Sequence, residues 1–238
     1  MNNKQAQAII HKTRDDYNRI AAHFSDTRYD NWTEIKWAMD YAKPGQNILD
    51  WGCGNGRLIN LLRDKKIKYF GLDQSSKLLK HGKNRFSKEI KAGWVKFFLT
   101  DKRNKKFPVG FFDLVFMVAS FHHLPDAKTR LELLKKVYSE MKIGGRLIVT
   151  VWNLGSDFAK QKESKGWREV RDSDFIIPWK NPQGKVEAER YYHHFFKDEL
   201  GGLLIKIGFK IERLDYFDRT TWTDQKSGRN LVAVAVKL

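Results

Sequence analysis

The sequence predicts an α/β fold, a mostly parallel sheet flanked by helices, and three observations carry that expectation. Apolar strand-like runs alternate with helix-like runs between residues 47 and 152. A glycine-rich turn, Gly52-Cys53-Gly54-Asn55-Gly56, follows the first apolar run. Acids stand at or just past the ends of the first three, at Asp50, Asp73 and Asp101. Strands so alternated with helices build right-handed β-α-β units.

The elements come in a clear order. Ile9, Ile10, Tyr17, Ile20 and Phe24 fall at helical spacing over residues 8–24, ahead of the polar turn Ser25-Asp26-Thr27-Arg28. Residues 32–41 read as a second helix, stopped before Pro44-Gly45. Strands are expected at 47–51, 67–73, 94–99, 112–119 and 145–152, with helices at 57–64, 75–86 and 126–141. From Asn153 to about Arg190 the pattern breaks into a polar, aromatic stretch with Trp167, Pro178, Trp179 and Pro182. So long a loop in a compact domain is usually functional or disordered, and its aromatics favour an ordered cap. Helix signals return over 197–207 and stop at Gly208, and the tail reads as strands at 209–217 and 231–237.

Composition narrows the class. The 238 residues are 41% hydrophobic, enough for one sizeable core, and no apolar run reaches the ~18 residues of a membrane span. The start carries no apolar signal segment, and a lone cysteine, Cys53, excludes an internal disulfide, so a reducing cytoplasm is expected. No Cys or carboxylate partners the histidines at ligand spacing, so no metal is expected. Net charge is +17, and residues 57–110 hold sixteen Lys or Arg against four acids. That asymmetry favours a polyanionic partner, with Lys65, Lys66 and Lys68 as candidate phosphate contacts. A lysine-rich composition without function is the bland alternative.

The glycine turn sharpens the chemistry. Glycines remove side chains where the backbone bends and a ligand approaches, and an acid about 20 residues on suits a ribose diol. The spacing is G-x-G-x-G, preceded by Asp50, rather than the G-x-G-x-x-G of a pyrophosphate-binding turn. Asp50-Trp51-Gly52-Cys53-Gly54-Asn55-Gly56 resembles motif I of the class I S-adenosylmethionine-dependent methyltransferases. The resemblance implies a Rossmann-like seven-stranded sheet whose last strand is antiparallel, with the cap inserted before the sixth strand. It implies one domain over 1–238, in which residues 1–45 close the cofactor site and 153–195 cover the substrate. It also implies S-adenosyl-L-methionine as cofactor, held by Tyr17, Asp50, Gly52, Gly54, Gly56, Asp73, Gln74, Asp101, Lys102 and Ala119.

Four further blocks narrow the resemblance. Tyr17 to Tyr29 followed by Trp32, Phe121-His122-His123-Leu124, Asp174 to Lys180, and Glu189 to His193 are similar to the tRNA wobble-uridine carboxymethyl methyltransferases. Trp51 and Leu231 depart from that family's pattern, which has an aliphatic residue and a tryptophan there. The resemblance implies methylation of a carboxymethyl group in the anticodon loop of tRNA. Eukaryotic members work with a small activating protein, which nothing in this sequence indicates. A carboxylate is ionised at neutral pH and needs alignment rather than a base. Arg28 is the first candidate to grip it, Arg190 the second, because a guanidinium forks onto a carboxylate. His122 and His123 are candidates for the carboxylate or the uracil edge, and Tyr191 and Tyr192 for base stacking. Motif I alone would equally suit a methyltransferase of a small carboxylic acid or quinone.

Overall fold

The computed structural model describes residues 1–28, 32–100 and 107–238. Its helices are α1 (Asn3–Thr27), α2 (Ile59–Leu62), α3 (Ser76–Arg85), α4 (Ser87–Lys91), α5 (Ala127–Glu140), α6 (Asp157–Lys160) and α7 (Lys197–Ile207). Strands β1 (Asn47–Trp51), β2 (Lys68–Asp73), β3 (Val95–Leu99), β4 (Phe112–Val118) and β5 (Met141–Trp152) interleave with the first five helices. The rest are β6 (Arg168–Arg171), β7 (Asp174–Lys180), β8 (Val186–His193), β9 (Phe209–Asp218), β10 (Thr221–Thr223) and β11 (Asn230–Lys237).

The main sheet runs β3-β2-β1-β4-β5-β11-β9-β10. β1 to β5 are parallel, and β11 lies antiparallel between β5 and β9, as expected for the last strand. The expected seven strands become eight among the described residues. Arg219, at φ 49°, turns the chain back so that Thr221 pairs with Asp218, and Trp222 packs on Phe217 and Trp37. That polar hairpin carries no apolar alternation by which to see it. The second predicted helix is a 3₁₀ helix over Thr33–Tyr41 that buries Ile35, Ala38 and Met39.

Alternation along the strands fills both faces of the sheet. Leu49, Val115 and Val149 meet Leu134 and Val137 of α5 and Leu200 and Leu204 of α7. Ile48, Leu114, Phe116 and Ile148 face Ile35, Ile59, Leu62 and Phe86 on the other side. Each such fully buried side chain contributes roughly 1.5–3 kcal/mol. The stretch after Asn153 is an ordered cap, a three-stranded antiparallel sheet of β6, β7 and β8.

α1 joins the two parts. A capping box of Asn2 and Gln5 starts it, worth about 1 kcal/mol. Asn18 accepts hydrogen bonds from the Ser75 hydroxyl (2.8 Å) and the Lys77 amide (3.2 Å) at the head of α3. On its other side Lys12 donates to the Glu189 carbonyl and Arg19 to that of Glu187, both on β8.

Candidate active site

The carboxyl ends of β1, β2, β4 and β5 open into a cavity of about 1200 Å³, roofed by α1 and walled by the cap. Ligands bind at this edge of an open α/β sheet. The glycines of the first turn serve three different needs. A Cβ on Gly52 would lie 2.3 Å from that of Ser120, so its absence lets the ends of β1 and β4 meet. A Cβ on Gly56 would lie 2.7 Å from the Phe97 ring, and Gly56 is a packing position that does not line the cavity. Gly54 lines it at φ +56°, and a Cβ there would meet Leu78 and Phe24 only at van der Waals distance, 3.9 Å each.

The turn consumes its own amides. Gly52 and Cys53 donate to the Leu72 carbonyl, Gly56 to that of Cys53, and Gly54 to Asp73 Oδ2 at 2.8 Å. Asp73 Oδ1 accepts the Ser75 amide at 2.7 Å. Each Asp73 oxygen therefore keeps acceptor capacity toward the cavity. Burial raises its pKa against the pull of these amides. Asp50 is buried, accepts from the Tyr69 hydroxyl at 2.7 Å, and is pushed up to about 7 by burial, with Asp73 adding to the shift. Burial also drives the Cys53 thiol well above its usual range, which makes it an inert filler. Gln74 and Ala119 line the cavity too. Ala119 sits at φ 50°, its amide held by the carbonyl and hydroxyl of Thr150. Asp101 and Lys102 lie outside the described residues.

The cap side gathers Tyr17, Arg28, His123, Trp179 and Arg190. The Trp179 indole has Arg28 Cζ 5.6 Å and Arg190 Cζ 5.0 Å from its ring centre. Arg190 is 5% exposed, lies within 6 Å of the Tyr17 and Tyr192 rings as well, and donates to the Tyr17 hydroxyl at 3.4 Å. Its Nε has no partner among the described residues, and no described carboxylate lies within ion-pair distance of Arg28 or Arg190. Burial, and then Arg190, lower the pKa of Arg28.

His123 lines the cavity and His122 does not. His123 Nδ1 faces the Tyr191 carbonyl at 2.7 Å and so carries the proton. Nε2 then accepts from the Tyr17 hydroxyl at 2.9 Å, and burial holds the ring neutral, with a pKa of about 3. His122 is withdrawn because its Nδ1 takes the Trp152 amide at 3.1 Å. Tyr191 and Tyr192 are core residues rather than free stacking platforms, 4% and 1% exposed, and the Tyr191 hydroxyl is spent on Asp174. His193 bridges Asp174 (2.9 Å) and Glu199 (3.0 Å), tying the cap to α7. Lys65, Lys66 and Lys68 stand at the far end of β2 from the cavity. Trp179 was visible only as one residue of an aromatic block, since its place between two arginines comes from the cap folding onto α1.

Solved structures share this architecture. An S-adenosylmethionine-dependent methyltransferase of Methanosarcina mazei superposes with a TM-score of 0.65 at 22% identity, over 85% of this chain and 97% of that one. The complex between the Trm112 methyltransferase activator and a methyltransferase of Haloferax volcanii gives 0.67 at 17% identity, over 94% and 96%. A family profile described as a methyltransferase domain matches residues 48–145, which include the glycine turn. The chain has the fold of the class I methyltransferases and is an S-adenosylmethionine-dependent methyltransferase. Its cofactor is S-adenosylmethionine. The cavity suits that group, with side-chain-free backbone at Gly54 and two carboxylates, Asp50 and Asp73, in its lining. This methyltransferase is 28% identical over 225 residues to a Schizosaccharomyces pombe protein named tRNA (carboxymethyluridine(34)-5-O)-methyltransferase, covering 87% of this chain and 91% of that one. A Saccharomyces cerevisiae protein of the same name is 28% identical over 186 residues, and the match spans 61% of its length.

Proposed function

We propose that this enzyme methylates the carboxylate of a carboxymethyl-type modified wobble uridine in the anticodon loop of tRNA. The names of its relatives point there, and Arg190 is the observation that carries the proposal. A buried guanidinium walled by aromatic rings, with a free donor and no carboxylate at hand, suits an anionic ligand.

When bound, S-adenosylmethionine supplies a methyl group on a positively charged sulfur. Asp73 would accept the ribose hydroxyls, Asp50 would face the cationic amino-acid end, and Gly54 would permit close approach. Gln74 and Ala119 would line the adenosine side, to which the family resemblance alone assigns Asp101 and Lys102. Arg28 and Arg190 grip one substrate oxygen and leave the other directed at the methyl. No proton has to be removed, because the carboxylate is already ionised. Tyr17 and His123 are positioning residues in this scheme. The relay of Tyr17 to His123 to the Tyr191 carbonyl fixes the hydroxyl on which Arg190 rests. His123 stays neutral and so cannot quench the nucleophile. Residues 1–45 close the cofactor side, and 153–195 exclude water from the substrate side.

tRNA is the partner this chemistry requires, and the fold likeness to the Haloferax volcanii complex is compatible with a small activating protein. No described helix is long and apolar enough to cross a membrane. The proposed substrate places the enzyme in the cytoplasm. The deciding experiment incubates the enzyme with labelled cofactor and tRNA carrying the carboxymethyl group, then analyses nucleosides by mass spectrometry. Label in a uridine ester supports the proposal. Label found only in a small carboxylic acid or quinone overturns it.

A further inference from the structure

We propose, resting on the tRNA assignment above, that the lysine row of α3 and α4 is the track on which the RNA phosphate backbone docks. These two helices carry six Lys or Arg and a single acid, Glu89. That acid is taken by Arg63 at 2.9 Å. Lys77, Lys80, Lys83, Lys88 and Lys91 are all exposed, and none has a carboxylate within ion-pair distance among the described residues. Leu78, Leu79 and Gly82 anchor the opposite face of α3, so the lysines cannot fold inward.

Position matters as much as charge. α3 begins at the lip of the cavity, since Gln74 lines it and Ser75 caps the helix. Lys77, Lys80 and Lys83 then step away from the lip by about 4.5 Å each, on a single slanted row. Charge is concentrated at this end of the sheet. Residues 186–238, which hold β9 to β11, carry nine basic against eight acidic residues. Repulsion within such a row is relieved when a polyanion binds to it, and the lysines release the polyanion's condensed counterions to solution. A neutral small substrate would have no use for it.

The molecule supplies its own control. Lys65, Lys66 and Lys68 have the same charge but stand at the opposite end of β2, about 17 Å along the strand from Asp73. The triple variants K77E/K80E/K83E and K65E/K66E/K68E are compared by fluorescence anisotropy on a labelled anticodon stem-loop RNA between 50 and 200 mM salt. The α3 variant is expected to bind at least tenfold more weakly, with a log–log salt slope shallower by about two. The control is expected to stay within about threefold of wild type. Unaltered calorimetric affinity for S-adenosylmethionine shows that the α3 variant is folded. Should the triple charge reversal unfold it, K80A and K83A are used instead, with about threefold losses expected each.

Equal weakening by both triplets, or by neither, overturns the track. If wild type methylates tRNA while the α3 variant binds normally, the track alone is lost. If wild type neither binds nor methylates tRNA, the RNA assignment falls and the track with it.

Discussion

Asp73 accepts the main-chain amide of Gly54 at 2.8 Å, so the acid that ends β2 also pins the turn that follows β1. Under its proposed role, removing this carboxylate acts on the ligand as well as on the turn. Asp73→Ala is expected to cost S-adenosylmethionine binding about 1.5–3 kcal/mol, measured by calorimetry. Asp73→Asn should lose less, because its amide oxygen can still accept from Gly54. Gly54→Val, forced into a left-handed conformation beside the ligand, should abolish measurable binding. Wild-type-like affinity in all three variants would move the cofactor out of this turn.

Arg28 and Arg190 share one indole but differ in burial, and their variants should differ accordingly. Arg28→Ala should leave cofactor affinity nearly intact and cut turnover by about a hundredfold or more, the loss of a charged bond of roughly 3 kcal/mol. Arg28→Lys should recover only part, because an ammonium lacks the planar fork. Arg190→Ala, which leaves a hole among three aromatic rings, should also lower the melting temperature. Single-turnover kinetics and thermal melts separate the two effects.

Asp50 titrates at about 7 in the protein as described, raised mainly by burial. Below that pH it is protonated, and a cationic ligand that wants its charge must first displace the proton. Affinity for S-adenosylmethionine should therefore fall as pH drops from 8 to 6, approaching tenfold per unit below 7. Asp50→Asn should flatten the curve. A pH-independent wild-type affinity would mean that Asp50 does not face the ligand's charge.

His193 offers a test in stability. Burial opposes its charge, but the bonds to Asp174 and Glu199 outweigh that and raise its pKa above 6.5. A raised histidine stabilises the fold fully below 6.5 and loses that contribution as pH climbs through its folded value. The melting temperature should accordingly decline as pH rises above 6.5, and His193→Gln should remove that part of the decline. No change in slope would show the bridge to be energetically silent.

The product carries a chemical signature. A methyl ester releases methanol in mild alkali, whereas an N-methyl or ribose 2′-O-methyl group survives. Loss of label from product tRNA after alkali is expected, and a base-stable mark would reject carboxylate methylation.

Much of this was legible in the chain, where burial and periodicity agreed. β1 falls at residues 47–51 because Ile48 and Leu49 are completely buried on opposite faces, and α7 stops at Gly208, whose φ of 107° suits glycine. The cap strands were hidden by composition. Pro178 reads as a loop residue, yet it sits in β7 because β6 pairs only as far as Ile176, leaving that edge unpaired beyond it. At the site, the spacing of Asp50, Gly54 and Asp73 was enough to bring the three to one turn at the cavity, since their contacts are local to two strands. Which histidine would reach the cavity was not legible. It depends on the Trp152 amide and the Tyr191 carbonyl, brought from distant segments to adjacent rings.

The amides of the glycine turn have a last consequence, for selectivity among the adenosine compounds of a cell. ATP and NAD present the same base and unmodified ribose as S-adenosylmethionine, so a contact to the ribose alone cannot tell them apart. The group attached beyond the sugar can. A phosphate placed over this turn would find the N–H groups of Gly52, Cys53, Gly54 and Gly56 already committed, and the carboxylates of Asp50 and Asp73 nearby. Such an anion would lose its hydration without gaining donors. A backbone that satisfies itself thus rejects nucleotides by withholding what a phosphate needs, and admits a ligand whose next atom is a positively charged sulfur.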